Sequence, residues 1–304
     1  MKFMRNSAFT LIEMLVATAI SALVGIGLVS FAWASSRLAA RNLAYNHGHD
    51  AMLIAENRLV HDLQDSASAF TLVDFNGTTY ANSTVTISSD VDPLTSQYLS
   101  SRSNAVRFWQ NTGGPCKLAA NTLATDTTLT FDFGPLVNGV LPYVPMVNDK
   151  VWLPLVDREC QISAIVTAPT TASTIGVVRI QNLNTTGVAF TLSTASPNVT
   201  TGYFFRQVAY SVYNNQLRYH SNFSPGTQAS YVVARENVTS PKPFSVLYAT
   251  SSSSSSTCLD LRISLESYDL NYSNMKFPNG SATLQTIISM RNQPPFVSSL
   301  QTPL

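Results

Sequence analysis

Residues 8–17 read Ala-Phe-Thr-Leu-Ile-Glu-Met-Leu-Val-Ala, and this stretch decides the fold of the N-terminal part of the chain. It places one carboxylate, that of Glu13, near the start of an otherwise apolar run from Phe9 to Ala34. As a helix this run measures about 39 Å, more than the ~30 Å hydrocarbon core of a bilayer. An ionised carboxylate inside a membrane-spanning helix is costly, so the pattern indicates a functional reason for Glu13.

A short basic leader, residues 1–8, precedes the apolar run. The order of basic leader, small residue and Phe-Thr-Leu-Ile-Glu resembles the N-terminus of type IV pilins and type II secretion pseudopilins. The resemblance implies that a prepilin peptidase cleaves after Ala8, where the family usually has glycine, and that Phe9 becomes the N-methylated first residue. It also implies that Glu13, one helical turn after Phe9, reaches the terminal amine of its own or a neighbouring subunit and sets subunit register.

Two other interpretations of the apolar run stay open. A cleavable secretory signal is one, because residues 32–34, Ala-Trp-Ala, imitate a signal-peptidase site. A plain membrane anchor is the other, and the distribution of charge does not decide its orientation. The flanking basic residues are Lys2 and Arg5 before the run and Arg37 and Arg41 after it. The position of Glu13 favours the pilin-like interpretation.

The composition is typical of an exported structural protein. Only 12% of the 304 residues are charged, whereas about a quarter of residues are charged in typical soluble domains. The net charge is +1. The chain has no basic patch with interleaved aromatic residues, so no nucleic-acid partner is predicted. With 45% hydrophobic and 10% aromatic residues, the part after the anchor can still bury a substantial core.

The period of the apolar residues predicts an α+β fold. Helical spacing continues after the anchor, from Leu38 through Leu59 to Phe70, and predicts an amphipathic helix that packs one stripe against a head. Beyond Phe70 the period changes to two, which is typical of antiparallel strands. We therefore expect a leader (1–8), a transmembrane and assembly helix (9–34), an amphipathic helix (35–70) and a β-rich periplasmic head (71–304).

Turn signals separate the expected strands, among them Asn76-Gly77, Asn138-Gly139 and the Gly-Gly-Pro of residues 113–115. Residues 207–219 are expected to form a hairpin across Asn214-Asn215. The other alternating runs are Phe70 to Phe75, Thr84 to Ser88, Ala105 to Trp109, Thr128 to Phe133, Ile162 to Thr167, Ile175 to Gln181, Val188 to Ser193 and Leu259 to Leu265.

Three cysteines follow the membrane run, Cys116, Cys160 and Cys258. In an oxidising periplasm this number suggests one disulfide and one odd thiol. We expect Cys116 to pair with Cys160, because Cys258 follows a serine run at residues 251–256. The spacing of the cysteines and histidines does not suggest a zinc site.

Motifs of catalysis and cofactor binding are missing from the sequence, so we expect a non-enzymatic protein without a cofactor or a metal. The nearest imitation of a metal cluster is His47, His49 and Asp50 with His61. His47 and His49 diverge by about 200° on a helix and cannot share an ion. The aromatic residues at 108–109 and 203–205 are candidates for a carbohydrate or adhesin surface, but core strands are their default interpretation.

Later segments resemble one group within the class, the PilW-type minor pilins and J-type pseudopilins. The matching segments occur in family order at residues 57–63, 208–219, 233–238 and 287–292, whereas residues 78–197 have no recognisable counterpart. The resemblance implies a minor pilin in the initiation or tip complex of a type IV pilus. Its implied partners are the prepilin peptidase, other minor pilins, the major pilin, the inner-membrane assembly platform and the inner membrane.

Three alternatives from other classes stay open at this point. The first is a J-type pseudopilin of a type II secretion system, the second a pilus-tip adhesin, and the third a membrane-anchored periplasmic enzyme. In the pilin interpretations the helix crosses the inner membrane once, the head lies in the periplasm, and the protein is incorporated into a pilus or pseudopilus at the cell surface.

Overall fold

A computed structural model describes residues 10–64, 66–67, 70–83, 86–92, 95–123, 125–181, 191–194, 200–221, 230–234, 237–238, 241–248, 257–258, 260–268 and 282–289. These residues form one long N-terminal helix followed by a mainly antiparallel β head. The expected α+β, pilin-like fold class is confirmed.

Helix α1 runs from Leu11 to Gln64. Its sequence contains no proline, so every turn can keep its backbone hydrogen bonds. The helix was expected to reach residue 70 but ends at Gln64, because the chain there switches to pairing with a strand of the head. Ser66 forms a β-bridge with Gln110, and the Ala67 amide donates to the Trp109 carbonyl at 2.7 Å.

The head follows from the period-two pattern beyond α1. Its strands are β1 (Phe70–Phe75), β2 (Tyr80–Asn82), β3 (Ile87–Val91), β4 (Tyr98–Ser100), β5 (Ala105–Leu118), β6 (Thr122–Leu123), β7 (Thr128–Asp132), β8 (Lys150–Leu153), β9 (Arg158–Thr167), β10 (Ile175–Gln181), β11 (Thr191–Leu192), β12 (Thr201–Tyr213), β13 (Gln216–His220), β14 (Ser230–Ala234), β15 (Asn237–Val238), β16 (Phe244–Tyr248), β17 (Thr257–Cys258), β18 (Asp260–Tyr268) and β19 (Ala282–Ser289). A short 3-10 helix, Pro154–Val156, lies between β8 and β9.

One half of the head packs against the helix, and we call its interior the helix-packed core. The C-terminal half of α1 buries one stripe there, as the helical spacing of its apolar residues predicts. Strands β1, β5, β12, β13, β16, β18 and β19 supply the rest of the interior. The buried side chains from the helix are Met52, Ala55, Leu59 and Leu63.

The other half of the head is a closed barrel. Strands β5, β12, β8, β9, β10 and β7 pair in that order, and β7 pairs again with β5, so each of the six has a neighbour on both sides. We call its interior the barrel core. Its most deeply buried members include Phe131, Phe133 and Phe204. In the described part of the chain, no residue of α1 belongs to this cluster.

Two long strands connect the halves. Strand β5 contributes Phe108 to the helix-packed core and Leu118 to the barrel core, and β12 contributes Tyr210 and Phe204 in the same way. The 113–115 stretch, expected as a turn, instead lies within β5. The β5–β12 register shifts there, and Gly114 has φ of +129°, which glycine adopts readily.

Several strand predictions are confirmed. Strands β1 and β10 have the predicted bounds, and β12 and β13 form the predicted hairpin across Asn214 and Asn215. Both asparagines have positive φ, 49° and 60°, as the tight hairpin turn requires. The runs predicted near 84–88 and 188–193 fall partly outside the described residues. In their described parts lie strands β3 and β11.

Candidate functional site: the N-terminal assembly segment

The first turn of α1 is closed by its own side chains. The Thr10 amide and hydroxyl donate to the Glu13 Oε2 atom at 3.0 and 3.1 Å, and the Glu13 amide donates to the Thr10 hydroxyl at 3.3 Å. This reciprocal pattern is a capping box, which satisfies orphan amides at a helix start. Glu13 therefore holds a second, local role, and the Thr-x-x-Glu spacing was its signal in the sequence. The predicted cleavage and methylation residues, Ala8 and Phe9, lie outside the described residues.

The apolar run of α1 is exposed along the whole of its described length, residues 10–34. Within the described chain, α1 is the one helix long and apolar enough to cross a membrane, and its most apolar window is entirely exposed. Such a helix is stable only in lipid or against other apolar helices. At the end of the run the Arg37 guanidinium carbon lies 3.6 Å from the centroid of the Trp33 ring. This cation–π contact is of the kind found at a membrane–water interface.

The other end of α1 is fixed to the sheet by a hydrogen bond. The Tyr210 hydroxyl donates to Asp62 Oδ2 at 2.6 Å, and Arg58 lies 3.9 Å from the same oxygen. Burial, and after it the bond to Asp62, raises the pKa of Tyr210, so the phenol stays protonated and keeps donating. The Arg58 guanidinium also lies over the Tyr219 ring at 5.6 Å. The head is thus tied to the C-terminal half of α1.

The histidine cluster that imitates a metal site in the sequence is not assembled into one in the described structure. His47, His49 and Asp50 are exposed on α1, and the His49 ring stacks on Tyr45 with 6.1 Å between centroids. Among the described residues, no group of three or more histidine, cysteine or acidic side chains is placed to hold a metal ion. The aromatic residues at 108–109 and 204–205 are buried in the cores, and Tyr203 is partly buried beside them.

The predicted disulfide between Cys116 and Cys160 is wrong in this structure, where both are buried free thiols. Cys116 lies on β5 and Cys160 on β9, which are three strands apart in either direction around the barrel. Six tilted strands give a barrel about 12 Å across, whereas bridged Cα atoms lie within about 7 Å. Both side chains belong to the barrel core, and burial raises the pKa of Cys116 to about 12, so the thiol is unreactive.

A serine–histidine pair was not predicted from the sequence. The Ser211 Oγ atom lies 2.7 Å from His220 Nε2, which is the distance expected of a nucleophile and its base. The two residues are, however, 0% and 1% exposed. A substrate cannot reach a hydroxyl at that depth, so the pair is a polar contact within the sheet.

Comparison with known proteins agrees with the N-terminal geometry. The family model described as the prokaryotic N-terminal methylation motif matches residues 3–29. The match covers most of the leader, Glu13 and most of the apolar run, and it supports a type IV pilin or pseudopilin in general. Such a motif implies processing by a prepilin peptidase, anchoring in the inner membrane and incorporation into a pilus or pseudopilus. No curated protein and no solved structure matches the chain.

Proposed function

We propose that this protein is a minor pilin of a type IV pilus system, acting in the complex that initiates assembly or caps the tip. The observation that carries the proposal is the methylation motif at residues 3–29 on a helix whose apolar surface is left uncovered by the head. The large head supports a minor rather than a major subunit, because its barrel adds a second core to the helix-packed one. The protein is not an enzyme; its role is structural.

The proposed assembly step follows from the physics of the N-terminal segment. Cleavage after Ala8 frees the amine of Phe9, and the exposed apolar helix then packs against the helices of other minor pilins and of the major pilin. In that low-dielectric bundle Glu13 attracts the amine of a neighbour much more strongly than in water. Before assembly the Thr10 hydroxyl and amide hold the carboxylate. The head faces the periplasm, and the assembly platform works on the membrane side.

The test separates the charge of Glu13 from its capping role. Glu13→Ala removes both, whereas Glu13→Gln keeps a side chain that can close a capping box but removes the charge. We expect both variants to be cleaved to a mature start at Phe9, seen by intact mass, and to co-purify with other minor pilins at least tenfold less. Glu56→Ala, a carboxylate removed from the same helix outside the apolar run, is the control and should co-purify normally.

Two outcomes would contradict the proposal, the first its register role for Glu13 and the second the pilin assignment itself. If Glu13→Gln assembles like the wild type, the carboxylate acts only as a cap and the register role is wrong. If the native protein begins after Ala34, the apolar run is a secretory signal instead. Deleting the gene then separates the pilus from the J-type pseudopilin alternative: loss of surface pili supports the minor pilin, and loss of protein secretion supports the pseudopilin. A tip adhesin would lose surface binding with pilus number unchanged.

A further inference from the structure

Residues 134–148, between β7 and β8, form a long connection that we call the barrel-mouth loop. Within this fully described stretch, the only regular pairing is the bridge between Val137 and Val140. Ordered loops of this length without helices or strands of their own are usually functional.

Buried groups hold the loop against the barrel. Arg206 donates from Nε and Nη2 to the two oxygens of Asp149, at 2.9 and 2.8 Å, and from Nη2 to the Val144 carbonyl at 2.7 Å. The Met146 amide donates to Asp149 Oδ2 at 2.9 Å, and the Tyr143 hydroxyl donates to the same atom. Burial, and then the negative charge of Asp149, raises the pKa of Tyr143, so the phenol remains a donor. The loop is therefore fixed in shape before it meets any partner.

The loop divides its side chains between the barrel and the solvent. Tyr143 belongs to the barrel core, and Gly113 leaves room for its ring, since a Cβ there would lie 2.4 Å from it. Val137 and Val140, on either side of the Asn138-Gly139 turn, are 58% and 63% exposed. The other exposed large apolar side chains of the loop are Leu136, Val144 and Val147.

The charge of this surface restricts its partner. Residues 134–148 contain no acidic or basic side chain, and the adjoining Asp149 is already neutralised by Arg206. A membrane-binding loop would present lysine or arginine to anionic lipid and tryptophan or phenylalanine to the interface, and this loop has neither. Exposed apolar side chains on a preorganised loop are instead typical of a protein contact, because little ordering cost opposes binding.

We infer that the barrel-mouth loop is a docking surface for the head of another subunit of the same assembly, with Val137 and Val140 as its central contacts. The inference rests on the proposed function for the identity of the partner, because the methylation motif implies that the chain polymerises with other subunits. The facing surface is apolar and uncharged, to match the loop.

Photo-crosslinking in the native cells tests the surface without disturbing the fold. A photoreactive residue at position 140 is expected to give an adduct with another subunit that carries the methylation motif, identified by mass spectrometry of both peptides. The matched control is position 155, because Leu155 is 55% exposed and lies in the connection at the opposite end of β8. We expect the adduct from position 155 to be at least tenfold weaker.

A pair of charge substitutions gives an independent result. Val140→Asp should reduce co-purification of the crosslinked subunit at least tenfold, whereas Leu155→Asp should leave it unchanged. An adduct only with lipid, only with a second copy of this chain, or with nothing overturns the inference. Gene deletion keeps the two proposals apart. If deletion removes pili but position 140 captures no subunit, the surface is wrong and the function stands; if deletion affects neither pili nor secretion, the function itself fails.

Discussion

The helix-packed core and the barrel core bury similar side chains but are closed in different ways. The first is covered by α1, whose Leu59 and Leu63 are completely buried against the sheet. The second is covered by its own strands, each of which is paired on both sides. A closed barrel has no free edges and needs no helix, whereas an open sheet must bury its apolar face against another layer. Only the first core therefore depends on the position of the assembly helix.

The two cores nevertheless share strands β5 and β12. Trp109 of β5 and Phe205 of β12 form a small separate cluster with Ala67, just beyond the end of α1. Any movement of the helix end thus reaches the barrel through two continuous strands rather than through a flexible linker. The halves can differ in stability while remaining mechanically connected.

Matched truncations in the two cores should have the largest effect. Leu59→Ala and Leu129→Ala each remove a fully buried side chain, one from the helix-packed core and one from the barrel core. Each should lower the free energy of unfolding by about 2–5 kcal/mol. Hydrogen exchange of the full-length protein in detergent should show faster exchange in α1 for Leu59→Ala and in β7 and β10 for Leu129→Ala.

If both variants accelerate exchange equally in both halves, the two cores form one cooperative unit and the contrast between them is wrong. The exposed leucine of the 3-10 helix, Leu155, supplies the control, because Leu155→Ala removes the same atoms from a side chain that is mostly in solvent. It should change neither half by more than about 0.5 kcal/mol.

Acid should next distinguish the two halves through His220. Its ring is 1% exposed and lies against Phe75 and Tyr80, with 5.0 and 5.4 Å between ring centroids. Burial, and then the positive charge of Arg218, lowers the pKa of His220 from 6.5 to about 4. Between these values the unfolded chain binds a proton that the folded chain does not, so stability falls as the pH is lowered.

The expected loss reaches about 3 kcal/mol at pH 4 and is absent above about pH 7. The loss should appear as faster exchange in β12 and β13, because Ser211 and His220 lie on these strands. The barrel should be little affected, because residues 111–206 contain no histidine that could titrate in this window. Asp132 of the barrel has a pKa lowered by the Thr174 hydroxyl, so its contribution is lost only at still lower pH. His220→Asn should abolish the pH dependence between 7 and 4, and His61→Asn, on the exposed face of α1, should not. An unchanged profile in His220→Asn would show that another group titrates.

The sequence predicted those features that depend on neighbouring residues. Alternation located β1 and β10, the Asn214-Asn215 pair located the hairpin, and the apolar run located the start of α1. Barrel closure could not be predicted in this way, because it depends on pairings between strands about a hundred residues apart, such as Trp109 with Gln207. A local pattern shows which face of a strand is apolar but not which strand lies beside it.

The same limit explains the errors. The disulfide was predicted from the position of Cys116 and Cys160 along the chain, whereas their separation is set by the order of strands in the barrel. The helix end at Gln64 depends on a bridge to Gln110. At the N-terminal site the register role of Glu13 stays a prediction. Its contact with Thr10 was not predicted, although the Thr-x-x-Glu spacing that allows it is present in the sequence.

The smallest expected effect concerns the hydrogen bond that joins the helix to the sheet. Tyr210→Phe keeps the buried ring but removes the donor to Asp62, whose side chain is 14% exposed and still lies beside Arg58. Because the carboxylate keeps a cation and some solvent, the loss should be only about 1–2 kcal/mol. It should appear as faster exchange in residues 52–64 of α1, with the barrel unchanged.

The matched control is Tyr219→Phe, which removes a hydroxyl that donates to Gln110 Oε1 at 2.9 Å. Gln110 lies on β5, so this bond joins two strands and leaves the helix contact intact. A similar loss of about 1 kcal/mol is expected, but without faster exchange in α1. If Tyr219→Phe loosens α1 as much as Tyr210→Phe does, the helix is held by the whole sheet rather than by the Asp62 contact. The apolar stripe of Met52, Ala55, Leu59 and Leu63 would then be what transmits movement of the assembly helix to the head.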